Sequence, residues 1–306
     1  MTPDNTILVS IVMSIHNGEN YVYRALNSIE GQTMKDYEVI IIDDASTDNT
    51  NQLLRAFCER DSKYHLIHNQ TNYGLTNSLI LGIQQAKGKY IARLDADDEC
   101  LPHRLEYQYR DLEETGADIN FCDAYVVKDD RVSIRRQYSR KITNWLSLFT
   151  NSYGLHSAVM FSKITYDELG GYNPNFKYAQ DYELWDRFNE QKKHFSYTDI
   201  PLIRYYSSEE SLSKTKIGEQ EMYAQTISHR AIKRYLPSIS SERALRLRNF
   251  LICSNPSSNT HFISALRECF LLLRQMHLSN VKNNYPWVLK SILYAFINHI
   301  IKRYFK

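Results

Sequence analysis

Apolar positions along the chain fall into two alternating rhythms. Continuous apolar and β-branched runs at ILVSIVMS (7–14), YEVIIID (37–43), YHLIHN (64–69), YIARLD (90–95) and DINFCDAYVV (118–127) predict strands. Between them, helical spacing runs through ENYVYRALNSIEGQ (19–32), TDNTNQLLRAFCERD (47–61), NSLILGIQQAKG (77–88) and PHRLEYQYRDLEETG (102–116). A hydroxyl or Asp cap starts the second helix, Gly88 stops the third, and the fourth opens on Pro102 and ends at Gly116. Strand and helix in strict alternation predict an α/β fold with a doubly wound, mostly parallel sheet. From about position 124 the pattern turns mixed, with short strands, loops and a helix at DYELWDRFNEQ (181–191); from about 215 it is helical only. The expected organisation is therefore a domain over 1–214 and a C-terminal helical extension over 215–306, with no internal repeat and no low-complexity tract.

Three polar segments interrupt this pattern where strands end. YIARLDADD (90–98) closes an apolar run with Asp95, Asp97 and Asp98, and carries Arg93 inside it. Two carboxylates about 4 Å apart repel by about 4 kcal/mol at an effective dielectric near 20. Exposure, protonation or a cation relieves that repulsion. One reading is an acidic turn, with Asp98 capping the next helix. The other is a ligand site, because open α/β sheets place ligands at the carboxyl ends of strands. Hard oxygen donors with open positions then suit Mg²⁺ or Mn²⁺ carrying a diphosphate. SIHNGENYV (14–22) sets Ser14, Asn17 and Glu19 after the first strand, and DDASTDNT (43–50) sets Asp43 and Asp44 after the second. Turn and cap chemistry explains Ser46 to Asp48 but explains Asp44 less well. Together the two loops form the kind of crevice that holds a nucleotide. There is no GxGxxG and no GxxxxGK[ST], which leaves a dinucleotide fingerprint and a P-loop without support. In the second half, YAQDYELWDRF (178–188) places Asp181 in the first turn of a helix, as an N-terminal helix acid or as a general base.

Taken together, VSIVMSIHNGENYVYRALNSIEGQTMKDYEVIIIDDASTDNT, ARLDADD, LPHRLEYQ, ELGGYNPNF and AQDYELWDRF resemble family 2 glycosyltransferases of the GT-A fold, over about residues 7 to 213. The resemblance implies an inverting hexosyltransferase acting on a nucleotide sugar, usually a UDP-sugar, with Mn²⁺ or Mg²⁺ as cofactor. It implies that Ser14, Glu19 and Asp44 contact the nucleoside, with Asn17 in the same loop. It also implies that Asp95 supports ribose and diphosphate and, with Asp97, the metal, that Arg93 and Asp98 line the same pocket, and that Asp181 is the base. The implied acceptor is a saccharide, in bacterial relatives often lipid-linked, in polysaccharide, O-antigen or capsule assembly. Two positions depart from the family pattern. Gln180 stands where many relatives have Glu, and YYSSEESLS (205–213) puts Tyr206 and Ser208 where Arg and His are common. Ser208 keeps open a catalytically impaired sugar-nucleotide binder. A nucleotidyltransferase on a similar sheet would want a basic residue in the first loop, and SIHNGEN has none. A phosphatase with an Asp nucleophile would want a hydroxyl four residues after Asp95, where Glu99 stands.

Charge adds one feature. The net charge of +2 excludes a polyanion binder as a whole, but no Asp or Glu follows Glu268, while Arg274, Lys282, Lys290, Lys302, Arg303 and Lys306 do. WVLKSILYAFINHIIKRYFK (287–306) sets Leu289, Leu293, Phe296, Ile297, Ile300 and Tyr304 on one helical face, with basic residues dispersed among apolar ones. That pattern suits a membrane surface better than nucleic acid. Five scattered cysteines without a CxxC fit reduced thiols, no signal peptide is read at the N-terminus, and no apolar run approaches the ~20 residues of a membrane span. The expected location is the cytoplasm, peripheral on the inner face of the cell membrane.

Overall fold

The structure, a computed structural model, describes residues 7–129, 131–136, 153–207, 215–251, 267, 269–271 and 274. Ser208 and the 287–306 segment lie outside the described residues. The chain divides into two compact units. One comprises Met1–Ser139 with Gly154–Thr215, and the other Arg140–Tyr153 with Lys216–Lys306.

The first unit is built on a mixed, mostly parallel sheet. Its elements are β1 (Val9–Ile15), α1 (Val22–Glu30), β2 (Tyr37–Asp43), α2 (Thr50–Cys58), β3 (Tyr64–His68), α3 (Leu75–Gln85), β4 (Tyr90–Arg93), β5 (Glu99–Cys100), α4 (Arg104–Thr115), β6 (Ile119–Lys128) and β7 (Arg131–Arg135), then a 3₁₀ turn (His156–Ala158), β8 (Val159–Ser162), α5 (Lys163–Glu168), α6 (Gln180–Glu190) and β9 (Phe195–Tyr206). The strand order is β3-β2-β1-β4-β8-β6-β9-β5, with β7 paired to β6. Strands β3, β2, β1, β4, β6 and β9 run one way, and β8, β5 and β7 run against them. The chain steps outward from β1 to β2 and β3, then returns to the other side of β1 with β4. The order therefore reverses between β1 and β4, the place where open α/β sheets bind ligands.

The central strands are apolar on both faces because helices cover both. Every residue of β2 is buried, and β1 is buried except at Ser14. Two polar residues inside this region pair: Ser10 Oγ donates to Glu38 Oε1 at 2.6 Å, and the same carboxylate oxygen accepts Lys87 N–H at 2.7 Å. Gly88, which ends α3 in the sequence reading, donates its N–H to Ser10 Oγ at 2.8 Å. A Cβ there would lie 2.5 Å from Ser10 N, so a side chain cannot occupy this turn without moving β1. The buried cluster runs from Val9, Ile11 and Met13 through Val39, Ile41 and Leu26 to Leu94, Leu105 and Met160.

In the second unit, α7 (Ile217–Tyr235) and α8 (Ser241–Leu251) pack together. Buried Arg248 donates through Nε to Ser228 Oγ at 3.1 Å and through Nη2 to Glu221 Oε2 at 3.1 Å. Among the described residues no helix is long and apolar enough to cross a membrane.

Candidate active site

The crevice at the β1/β4 reversal begins with the loops after β1 and β2, and the structure shows how these loops hold each other. Asn17 takes a left-handed conformation (φ 55°) and its N–H donates to Ser46 Oγ at 2.9 Å. Its side-chain Oδ1 accepts Thr47 N–H at 2.8 Å. Gly18 N–H donates to Thr50 Oγ1 at 2.7 Å, and Glu19 Oε2 accepts Asn49 N–H at 2.9 Å. Asp48 Oδ1 accepts Thr50 N–H at 3.0 Å, so α2 begins on carboxylates from both loops. Asn17 and Glu19 thus give side-chain oxygens to the neighbouring loop, and what they shape for a ligand is the loop surface. Ser14 stands half-buried near the end of β1, in register with Ile42.

Asp44 organises a third loop. Oδ1 accepts Asn69 Nδ2–H at 2.8 Å and Tyr73 N–H at 2.9 Å, and Oδ2 accepts Gly74 N–H at 2.8 Å. The carboxylate is almost fully buried, and it fixes the turn that carries exposed Tyr73. Burial pushes the pKa of neighbouring Asp43 up, but hydrogen bonds from Ser46, Asn51 and His68 outweigh it and leave that acid below its ordinary range.

The acidic segment lies across the reversal. Arg93 is wholly buried and its Nη2 pairs with Asp95 Oδ1, while Asp95 N–H donates to Ser157 Oγ at 2.9 Å. Burial, and then the charge of Asp95, push Asp97 up to about 6, against the opposing pull of Arg93 and Arg24. Asp98 is wholly buried beneath the crevice surface. Its Oδ1 accepts Tyr206 N–H at 2.9 Å, while Oδ2 is buried without a partner in hydrogen-bonding geometry. Burial first, then Asp95 and Asp97, raise its pKa well above the ordinary range. Asp98 does not cap α4, whose first turn follows His103 without a side-chain cap. Behind this segment, Arg104 donates to Arg93 O at 2.6 Å, to Val159 O at 3.2 Å and to Gln108 Oε1 at 3.0 Å. Gln108 in turn donates to Asn120 Oδ1 at 2.8 Å and Ala158 O at 3.0 Å. The LPHRLEYQ stretch is the buried mounting of the acidic loop.

Among the described residues no three His, Cys, Asp or Glu side chains gather as a metal-ligand group. The chain offers two carboxylates, Asp95 and Asp97, and burial, with the charge of Asp95 added to it, holds Asp97 up at about 6. That donor set fits a hard divalent cation that keeps its own waters and brings phosphate oxygens as its other ligands.

Asp181 is partly exposed in the first turn of α6. Burial pushes it up to about 6; its own and Tyr182 N–H pull down, Asp95 pushes up and Arg93 pulls down. Asp181 therefore lies within the electrostatic reach of the acidic segment. Helix α6 is fastened to the ELGGY turn: Glu183 pairs with Arg187 at 2.8 Å, and Arg187 donates to the carbonyls of Leu169 and Gly171. Gly170 and Gly171 are both left-handed (φ 79° and 68°), and a Cβ on Gly171 would sit 2.8 Å from the Tyr166 ring. The turn delivers Tyr172, whose hydroxyl meets His156 Nε2 at 2.7 Å in the interior. Burial, then Arg93, hold His156 well below its ordinary pKa, so it is a neutral imidazole. His156, Tyr172 and Arg24 escaped the sequence reading. A lone histidine and an arginine on an amphipathic helix carry no periodic signal.

The chain matches the family model described as Glycosyl transferase family 2 over residues 10–169. An uncharacterized glycosyltransferase of Haemophilus influenzae is 28% identical over 250 residues, covering 77% of this chain and 76% of the relative. The putative glycosyltransferase EpsE of Bacillus subtilis is 30% identical over 217 residues, covering 68% and 72%. Among solved structures, TarS 1-349 of S. aureus in complex with UDP matches with a TM-score of 0.61 at 14% identity, over 95% of this chain and 89% of that one. TarS 1-349 in complex with UDP-GlcNAc matches at 0.59 and 16% identity, over 93% and 91%. At such identities the likeness shows the fold, and that fold is GT-A.

Proposed function

Because this chain belongs to glycosyl transferase family 2, we propose that it transfers a hexosyl group from a UDP-sugar to a saccharide hydroxyl with inversion. The reading is supported by two carboxylates, Asp97 and Asp181, that are both raised to about 6 and both feel the charge of Asp95. Strongly perturbed carboxylates cluster at functional sites, and open α/β sheets bind ligands where the strand order reverses. The complexes of TarS with UDP and with UDP-GlcNAc support the donor class.

In this reading the loops after β1, β2 and β3 receive the nucleoside, with Ser14, Asn17, Glu19 and Asp44 as its surface and supports. Asp97, with Asp95, would hold Mn²⁺ or Mg²⁺, which would supply positive charge to the departing diphosphate. Arg93 sets the direction of the Asp95 carboxylate, and buried Asp98 ties the loop to β9. Asp181 takes the acceptor hydroxyl proton as that oxygen attacks the anomeric carbon from the face opposite the diphosphate. A base held near 6 is ionised at neutral pH yet accepts a proton more readily than an exposed aspartate.

The acceptor is proposed to be a lipid-linked saccharide in surface-polysaccharide assembly, reached from the cytoplasmic side by a catalytic domain over 1–214. The acid-free basic and apolar composition of residues 269–306 supports a membrane-surface role for the 215–306 extension. The test is turnover of a UDP-sugar panel with Mn²⁺, following UDP release with and without lipid-diphosphate saccharides. The expected result is release from one donor, stimulated by acceptor, with inverted anomeric configuration in the product. No release from any UDP-sugar, or a product with retained configuration, would overturn the reading.

A further inference from the structure

Arg24 projects from α1 onto the acidic segment and makes three different contacts with it. Its Nη2 donates to the backbone carbonyl of Asp97 at 2.6 Å. Its Nε lies 3.2 Å from Glu99 Oε1, an ion pair without hydrogen-bond alignment. Its guanidinium plane stacks on Tyr206, with Cζ 3.6 Å from the ring centroid. Tyr206 is itself bolted to the same segment, through its N–H to Asp98 Oδ1 at 2.9 Å and its hydroxyl to Glu99 Oε1 at 2.7 Å. Arg204 holds the other oxygen of Glu99 at 3.1 Å. The carbonyl of Asp97 is thus gripped from α1, and the residues after it are gripped from the end of β9.

We propose that Arg24 is a positioning residue. By fixing the Asp97 carbonyl while stacked on Tyr206, it aims the Asp97 carboxylate at the cation and diphosphate of the donor. This rests on the assignment of Asp97 above. The chemistry asks for arginine specifically. A planar fork can bond a carbonyl with one nitrogen, face a carboxylate with another and stack its face on an aromatic ring, all at once; an ammonium can donate to both oxygens but has neither the fixed fork nor a face to stack. Glu99 keeps Arg204 and the Tyr206 hydroxyl if Arg24 is removed, so the segment stays charge-paired. What is lost is the hold on the Asp97 peptide and a cation near its carboxylate. Groups that orient a metal-binding carboxylate typically matter by about 10- to 100-fold in metal affinity or activity.

The test is calorimetric titration of UDP into the full chain, once with MnCl₂ and once with EDTA, for wild type, Arg24→Met and Arg24→Lys, with a melting curve for each. Arg24→Met is expected to weaken UDP binding in Mn²⁺ by about tenfold or more, with EDTA binding and melting temperature unchanged. Arg24→Lys is expected to fall between the two, because the charge remains and the fork is gone. Mn²⁺-dependent binding by Arg24→Met equal to wild type overturns the proposal, and so does an equal loss by both variants with and without Mn²⁺, which marks collapse of the crevice. If Arg24→Met does not fold, Arg24→Lys decides: weakened binding in Mn²⁺ alone supports the role, and wild-type binding overturns it. Wild type that shows no Mn²⁺-dependent UDP binding overturns the assignment of Asp97 and this inference with it, so the two failures are distinguishable.

Discussion

Replacing Asp181 with Asn should make the protein more stable and nearly inactive, and both effects follow from one shifted proton. The folded chain raises Asp181 from an ordinary 3.8 to about 6. Between those values the native state binds a proton that the unfolded chain has released, so stability falls as pH rises through this window. The stabilisation is full below 3.8 and lost above about 6. At 1.36 kcal/mol per pKa unit, the ionised carboxylate costs the fold about 3 kcal/mol at neutral pH. Asn keeps the shape and cannot ionise. At pH 8 without metal, Asp181→Asn should therefore melt higher than wild type by roughly 6 °C, at about 2 °C per kcal/mol. The gap should narrow as pH falls below about 6 and close near 3.8, because wild type regains its proton over that window. Turnover should fall by about 10² to 10⁴ with UDP binding retained, as for loss of a general base. The wild-type kcat should rise with pH through about 6 and then level, because the base must be ionised. The assays are melting curves from pH 4 to 8 and steady-state UDP release over the same range. A variant no more stable than wild type at pH 8, or one that keeps turnover within tenfold of it, would refute the reasoning.

Three further outcomes test the mounting of the site and its surroundings. Arg104→Leu should cost about 3 kcal/mol or more in urea unfolding with an unchanged m-value, because the carbonyls of Arg93 and Val159 and the Gln108 amide lose a buried cationic donor. Gly171→Ala should destabilise more than Gly116→Ala: both need a left-handed residue, at about 1–2 kcal/mol, but only Gly171 also meets the Tyr166 ring. Equal losses for the two would show that the ring gives way freely. Full-length chain should co-sediment with anionic vesicles at low salt more than a chain ending at Tyr285, since each basic residue near such a surface contributes about 1 kcal/mol; equal pelleting would place any membrane contact elsewhere.

The strand and helix alternation up to β6 was legible because central parallel strands are apolar on both faces, as in VSIVMSI and YEVIIID. The antiparallel insertion of β8 between β4 and β6 was not. VMFS is four residues long, and an apolar run states burial but neither direction nor partner. The acidic segment stood out since three carboxylates after a buried strand need a cause. What that cause does with each oxygen was hidden. Asp98 faces inward to Tyr206, and Asn17 and Glu19 turn sideways onto the next loop, because spacing fixes which loops are neighbours and not where side chains point. ELGGYNPNF counted only toward the family resemblance, while the use of its GG turn, holding Tyr172 against His156, depends on Arg187 in the following helix. Arg24 was not singled out by spacing and reaches Asp97 across 73 positions.

The assignment of Asp97 to the donor's cation and diphosphate is tested most directly by titrating UDP in Mn²⁺ into wild type, Asp97→Ala and Asp181→Asn. Wild type and Asp181→Asn should bind alike, while Asp97→Ala should lose the part of the affinity that Mn²⁺ adds. Wild-type affinity in Asp97→Ala with Mn²⁺ present would contradict that assignment.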